Sequence, residues 1–370
     1  MLLVGGGITG AATAWYAAQA GLDVILVDRS ELGAAGSSAN AGSLHAQIQN
    51  ATYVQRGDEW ARAYAPATRF MLESIEIWRG LGEALGADLE VALNGGILIA
   101  ETEEQMRSIA HKVELEHEQG LKSELLSKAD LQALAPYVSD AMVGGELCPH
   151  EGKANPLVAT AAFARAALRE GARVWPRTGV VSVTQERDGF TAVTDSGATI
   201  ACRRLVSCGG TDAGAITAML GVPLKVGGEA IQASVTETVQ PLIKHLLYFA
   251  GGALTLKQAR VGSILIGGGW PSQLRGGIPS VSRESLLANL EIAVRVVPAV
   301  AGARLLRTWS GFVNATDSWL PLVGPVPGVK GLFIGAFPYM GFTAGPLLGR
   351  TLAELLAGRA PEADISAFLP

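Results

Sequence analysis

The chain has 370 residues, 49% hydrophobic and 17% charged, enough apolar material for a large core divided between two intimately joined domains. Its net charge of -5, with lysines and arginines scattered along the chain, excludes a phosphate-backbone track for nucleic acid. The 3 cysteines, Cys148, Cys202 and Cys208, form no Cys-x-x-Cys pair and have no histidine at ligand spacing, which argues against a structural metal, an iron–sulfur cluster or a disulfide framework and fits a reducing cytoplasm.

The first element is a short apolar strand, Leu2-Leu3-Val4, followed by a glycine cluster and an alanine-rich helix from Ala11 to Ala20. Gly5, Gly7 and Gly10 carry the Gly-x-Gly-x-x-Gly spacing at the junction. Gly5 permits the tight turn, Gly7 lets a pyrophosphate approach the backbone, and Gly10 lets the helix pack closely on the strand, while the helix N-terminus offers N–H donors and a partial positive charge. Gly21 breaks the helix, and a second apolar strand, Asp23 to Val27, ends in Asp28. A carboxylate there accepts hydrogen bonds from the ribose hydroxyls of an adenosine and repels a 2′-phosphate. An ordinary βαβ turn is the alternative, and it requires strand, helix, strand and terminal acid all to be coincidental. The next stretch, residues 36–50, is rich in small and hydroxylated residues; Ser37, Ser38 and Asn40 offer hydrogen bonds to a ligand on the backbone, with a surface linker as the alternative.

Further along, residues 91–100 form a strand with a glycine pair, and Glu101 to Leu134 is expected to be helical, with apolar positions at Met106, Ile109, Val113 and Leu115. Residues 203–208 make an apolar strand ending at Gly209-Gly210, a second close-approach turn. Residues 229–237 and 263–270 alternate or run apolar like sheet strands, and 284–300 forms an amphipathic helix stopped by Pro298. Leu332 to Ile334 is a strand ending at Gly335, and after a turn at Pro338 a helix begins near Thr343. No uninterrupted apolar run approaches the ~20 residues that span a bilayer, so no membrane anchor is expected.

In "VGGGITG", "ILVDRS" and "SSANAGSLH" the sequence resembles the glycine oxidase, sarcosine oxidase and D-amino-acid dehydrogenase superfamily of FAD-dependent amine oxidoreductases, and segments at 95–106, 151–174, 203–210, 307–328 and 331–358 continue the resemblance in order. It implies an α/β fold: a Rossmann-like FAD-binding domain from residues 1–80, 151–215 and 325–370, and an α+β substrate domain, 81–150 with 216–324, on a large mostly antiparallel sheet roofing the flavin. The implied cofactor-binding residues are Gly5, Gly7, Ile8, Thr9, Gly10, Asp28, Arg29, Ser37, Ser38, Asn40, Ala41, Gly42, Ser43, Val181, Cys208, Gly209, Gly210, Gly335, Met340, Gly341, Phe342 and Thr343. Backbone N–H groups of Gly341, Phe342 and Thr343 are placed to face the pyrimidine edge of a flavin; for Phe337, Tyr339 and Phe342, core packing is the alternative.

Sarcosine oxidases tether the flavin through a cysteine near the ring, and "FPYMGF" contains none, so FAD is expected to be bound non-covalently. Candidates for orienting substrate are His45, Gln47, Asn314 and Tyr339; His45 as a core or surface histidine is the alternative. The family's carboxylate-clamping arginine corresponds to Val313, with Arg275 as a substitute cation, and its tyrosine falls on Ala253 and Leu254, with Tyr248 a few residues earlier.

Among the family, similarity is strongest to the flavin β-subunits of opine and D-hydroxyproline dehydrogenases. It implies oxidation of a secondary amine or amino acid (an opine, imino acid or D-amino acid) by hydride transfer to flavin N5, with electrons passed to another subunit of a heteromeric, cytoplasmic dehydrogenase. A stand-alone oxidase using oxygen and a catalytically degenerate FAD-containing structural subunit are the alternatives.

Overall fold

In the computed structural model, which describes all 370 residues, Leu3, Leu26 and Val206 of three neighbouring strands face one apolar layer, while Leu2, Val4, Ile25, Val27 and Leu205 face another. Short strands buried on both faces in this way belong inside a covered parallel sheet. That sheet has six strands, in the order Leu322–Pro325, Leu332–Ala336, Leu205–Ser207, Leu2–Val4, Ile25–Val27 and Arg173–Trp175; neighbours are parallel except for the first pair. Helices Ile8–Gln19, Pro156–Arg169 and Gly341–Leu356 cover one face. A three-stranded sheet, Val180–Glu186, Gly189–Thr194 and Thr199–Cys202, covers the other through Val183, Phe190, Ala192 and Ile200. The expected boundary at residue 325 therefore falls inside an edge strand of this sheet.

A second, eight-stranded sheet runs Leu305–Ala315, Gly227–Thr238, Ser263–Pro271, Gly252–Gln258, Leu246–Phe249, Gly96–Ala100, Gly144–Cys148 and Glu124–Ser127. It is antiparallel except where Leu246–Phe249 meets Gly96–Ala100. Leu254, Leu256, Ile264 and Ile266 bury one face against Ala293 and Val296 of the helix Arg283–Val296.

Several elements differ from the sequence-based expectation. The stretch from Glu101 to Leu134 is not one helix: Glu103–Glu118 ends at Gly120, which adopts φ +93°, and the strand Glu124–Ser127 precedes a separate helix, Lys128–Leu134. A left-handed glycine of this kind stops a helix whatever the apolar periodicity beyond it. The last long helix begins at Gly341, two residues before Thr343, and the helix expected over 284–300 ends at Val296, followed by a 3-10 turn at Pro298–Gly302. Residues 50–85, for which the sequence pattern indicates no element, form a 36-residue helix kinked at Gly57 and burying Trp60, Tyr64, Phe70 and Trp78.

Helix Gly341–Leu356 crosses helix Ile8–Gln19 with no room for a side chain at Gly349, where a Cβ would lie 2.4 Å from Ala12 Cβ and 2.7 Å from the Thr13 nitrogen. Gly349→Val should destabilise the protein by about 1–3 kcal/mol, because the obstacle includes helix backbone, at Ala12 and Thr13, that cannot swing aside. Gly80→Ala, in the helix Asn50–Leu85 where a Cβ meets nothing within 4 Å, should stabilise it by about 0.5–1 kcal/mol. Urea unfolding followed by circular dichroism measures both.

Candidate active site

The nucleotide end of the site is built from close backbone approach. A Cβ on Gly5 would lie 2.3 Å from the Cys208 carbonyl oxygen, and one on Gly10 would lie 1.9 Å from the Gly5 oxygen, so strand, turn and helix meet without side chains between them. Gly335 is packed tightly against the side chains of Leu352 and Thr9. The first turn of helix Ile8–Gln19 opens beside Ser37, whose hydroxyl accepts from the Ile8 N–H at 2.9 Å. Asp28 receives the Gly6 N–H at 2.7 Å on one carboxylate oxygen and the Ser30 N–H at 2.7 Å on the other, which holds it at the strand tip beside the glycine turn. Arg29 pairs with Asp212 at 2.7 Å across this edge. Val181 is exposed on the neighbouring sheet, two residues beyond Gly179, which packs on Arg29. Gly209 abuts Ile216 and Gly210 abuts Asn314; burial pushes the Cys208 thiol up to about 12.

From there the chain runs through a one-turn helix, Gly36–Ala39, and the strand Ser43–Leu44. Asn40 is used within this segment: its amide donates to the Ser37 carbonyl at 2.6 Å and its oxygen accepts the Gly42 N–H at 2.7 Å. Ser38 is directed at the Ala35 carbonyl. Ser43 is buried and accepts from Lys257 Nζ at 2.6 Å. Desolvation, reinforced by Lys153, lowers the Lys257 pKa to about 7. Thr343 joins this segment to the first turn of helix Gly341–Leu356, its hydroxyl accepting the His45 N–H at 3.0 Å and donating to the Ser43 carbonyl at 3.3 Å.

Beyond Leu44 the backbone is buried and has no sheet partner to accept its N–H groups, and two carboxylates take that place. Glu151, fully buried, accepts from Ala46 N at 2.6 Å, Gln47 N at 2.8 Å and the Gln47 side-chain amide at 2.9 Å. Glu116 accepts from Ile48 N at 2.8 Å and sits with Glu146 around the fully buried Lys112, at 2.5 and 2.8 Å. Burial and the Glu116 charge push the Glu146 carboxyl well above the usual range, while Lys112 holds Glu116 below it.

These segments enclose a cavity of about 360 Å³. Its wall takes residues 39–41, Ser43, His45, Met340, Phe342 and Thr343 on the cofactor side and Ile231, Tyr248, Thr255, Val313, Trp319 and Tyr339 on the other. His45 Nδ1 lies 2.7 Å from the Tyr248 hydroxyl. Burial, followed by the Lys257 charge, lowers the His45 pKa to about 3, so the ring is neutral. Tyr339, at φ +54°, stacks on Trp319 with centroids 3.9 Å apart and donates to Glu229 at 2.6 Å. Burial and the Glu229 bond raise the Tyr339 pKa, with Arg56 opposing.

Of the four candidate substrate-orienting residues, His45 and Tyr339 present side chains to the cavity. Gln47 lines it too, but its amide is taken by Glu151 and the Gly96 carbonyl. Asn314 is not part of the wall: it follows Val313 on a strand, so its side chain points to the opposite face, where it reaches the Phe337 carbonyl. Arg275 lies on an exposed hairpin outside the wall. Tyr248, Ala253 and Leu254 all line the wall, and of the three only Tyr248 brings a hydroxyl to it. Sequence reasoning missed Lys257, Glu151 and Glu229. Lys257 had a signal, the single cation in the strand Gly252–Gln258, on the same face as Ala253 and Thr255.

The residues present fit an FAD. Gly7 faces only the Ser37 hydroxyl and Gly341 faces nothing within 4 Å, so both helix starts leave open backbone for a pyrophosphate and a ring.

The profile of the FAD dependent oxidoreductase family matches residues 2–355. The beta subunit of the sarcosine oxidase of Rhizobium meliloti (strain 1021) is 25% identical over 380 residues, covering 100% of this chain and 86% of that protein. One of the subunits of the opine oxidase of Agrobacterium tumefaciens (strain Ach5) is also 25% identical, with 100% and 96% covered. The crystal structure of glycine oxidase from Geobacillus kaustophilus superposes with a TM-score of 0.89 at 25% identity, covering 100% of this chain and 97% of that one.

Asp28→Ala should weaken FAD binding by about 10- to 100-fold, the worth of a charge-assisted bond of ~1.5–3 kcal/mol; titration of apoprotein with FAD, followed by fluorescence, reads it. Lys257 supplies a pH test. Its folded pKa is lowered to about 7, so between pH 7 and 10.5 the unfolded chain binds more protons and stability rises with pH. Lys257→Met removes that dependence: its stability relative to wild type should be greatest at or below pH 7 and fall as pH approaches 10.5, as measured by urea unfolding at pH 6.5 and 9.5.

Proposed function

The chain belongs to the FAD dependent oxidoreductase family, and from that premise we propose that it oxidises the C–N bond of a secondary amine held without a carboxylate clamp. The general reaction, FAD-dependent oxidation of an amine or amino acid, is that of its relatives. The observation that carries the finer reading is the cavity wall, in which Glu229 is the one charged side chain and no lysine or arginine takes part. A buried carboxylate without a guanidinium partner forgoes charge-assisted bonds of ~1.5–3 kcal/mol, so a small amino acid gains little here.

Gly5, Gly7, Gly10, Asp28 and Ser37 would hold the nucleotide, and residues 40–43 with Met340 to Thr343 would hold the ring. Bound FAD would supply the two-electron acceptor for a hydride from the α-carbon, the electrons of the C=N bond coming from the nitrogen lone pair of a neutral amine. The protein's own part is to set that carbon over the ring, orient the nitrogen and exclude water. Trp319 and Tyr339 close the apolar side, and His45 and Tyr248 give the polar side. Two of the relatives are named as components of larger enzymes, a sarcosine oxidase and an opine oxidase, which supports a companion protein as the destination of the electrons.

Glu229 lies directly opposite Val313 in the strand pairing, and directly opposed residues have Cβ atoms about 4.5–5.5 Å apart. An arginine at 313 would pair with Glu229 rather than with a substrate. In anaerobic rapid mixing, wild type should be reduced at least about tenfold faster by N-methylated secondary amines than by glycine or D-alanine. Val313→Arg alone should change little, and Val313→Arg with Glu229→Gln should speed glycine and D-alanine by about tenfold or more. Fast reduction of wild type by glycine would overturn the reading.

A further inference from the structure

Glu229 brings to the cavity a charge that nothing in the protein neutralises. On its strand, Gly227–Thr238, it projects from the same side as Ile231 and Ala233, and all three belong to the wall. One carboxylate oxygen accepts from the Tyr339 hydroxyl at 2.6 Å; the other has no hydrogen-bond partner in the protein, and no lysine or arginine forms an ion pair with either. Arg56, whose charge bears on Tyr339, is exposed and is not paired with Glu229. Val313, directly opposite Glu229 on the neighbouring strand, adds apolar surface and no counter-charge. The rings of Tyr339 and Trp319, stacked with centroids 3.9 Å apart, stand in the wall beside the carboxylate. The Tyr339 bond by itself does not require an acid, because a neutral amide oxygen accepts from a phenol equally well in geometry. The charge of Glu229 is therefore not accounted for by the fold.

We propose that Glu229, with the rings of Tyr339 and Trp319, is the specificity-determining group of the cavity and binds a second, cationic group of the substrate, an ammonium or guanidinium carried at a distance from the nitrogen that is oxidised. The inference rests on the amine oxidation proposed above and narrows its substrates from secondary amines in general to secondary amines with a distal cation. A carboxylate attracts such a group, aromatic rings beside the carboxylate add a cation–π attraction, and the wall holds no lysine or arginine to repel it. A distal anion meets the reverse of the first term, and a neutral substituent gains only apolar contact with Val313 and Ile231. The wall is thus divided to suit a substrate with two unlike ends. The reacting nitrogen is neutral, and on the polar side His45 and Tyr248 offer it hydrogen-bonding groups without charge. Glu229 takes the permanent charge of the other end. Because Glu229 is exposed, its contribution is that of a partly hydrated pair and is screened by salt.

The test uses pairs of probes alike in shape and different in charge. Butylguanidinium and butylurea, neither of which carries an oxidisable amine, are titrated into the FAD-loaded protein and followed by the flavin absorbance. Wild type should bind the guanidinium at least about fivefold more tightly than the urea, and the ratio should shrink as salt is added. Glu229→Gln, which keeps an acceptor for the Tyr339 hydroxyl, should remove the difference. The same preference should appear in anaerobic flavin reduction, as a lower half-saturating concentration for a methylamine bearing a butylguanidinium than for its butylurea counterpart, and should be lost in Glu229→Gln. Equal binding of the two probes by wild type, or a preference for the guanidinium that survives in Glu229→Gln, would overturn the proposal. If no secondary amine reduces the wild type, the amine reading fails on its own, and the titration still decides whether Glu229 holds a cation.

Discussion

The arrangement of the active site depends on how the backbone from Ala46 to Ile48 is satisfied inside the protein. Buried N–H groups need acceptors, and the two-residue strand Ser43–Leu44 is too short to supply a ladder beyond itself. Two buried carboxylates supply them, Glu151 for residues 46 and 47 and Glu116 for residue 48. A buried carboxylate is costly unless it is hydrogen-bonded or paired, and the loop N–H groups together with Lys112 meet that condition. Loop and carboxylates each satisfy the other, and His45 is carried on the result.

Electrostatically, the site combines burial with few charges. Lys112, Glu116 and Glu146 form a buried cluster, with Lys112 between the two carboxylates, and burial together with the Glu116 charge raises the Glu146 carboxyl well above the usual range. At the other side of the cavity Glu229 is tied to Tyr339, which stacks on Trp319; both aromatic residues have positive φ. Backbone of this kind persists only where the surroundings over-determine it. Here the aromatic stack, the Glu229 bond and the Asn314 carbonyl, which accepts the Tyr339 N–H, all bear on one turn. The cavity is thus shaped by rigid elements on the side away from the cofactor segments.

On the cofactor side of the cavity, the six-stranded sheet and its covering helices meet through glycine. Close approach at Gly5 and Gly10 and between the helices at Gly349 draws the start of helix Gly341–Leu356 alongside the start of helix Ile8–Gln19. Thr343, at the first of these starts, then links the loop at 43–45 to Ser74 and Trp78 of the long helix Asn50–Leu85. One side chain and its carbonyl therefore connect the nucleotide fold, the loop and the helix that covers them.

Much of this was determined locally and is legible in the sequence. The glycine spacing at 5, 7 and 10, the apolar strands at 2–4 and 332–334 and the acid at 28 depend on neighbours within some twenty residues, and backbone conformation at a glycine turn is set by the residues of the turn. The valine at position 313, where the resemblance leads one to expect an arginine, is visible for the same reason, as a residue type at one position. The kink at Gly57 and the stop at Gly120 are local too, but periodicity alone does not weigh a left-handed glycine against the apolar residues that follow it. Only the tertiary structure decided that Glu151 stands under Ala46 and Gln47, that Tyr248 meets His45, that Lys257 reaches Ser43 and that Glu229 faces Val313, pairs 84 to more than 200 residues apart. Such pairs carry no local pattern: a buried polar group is stabilised by whichever partner packing delivers to it, and packing is decided by the sheets as a whole.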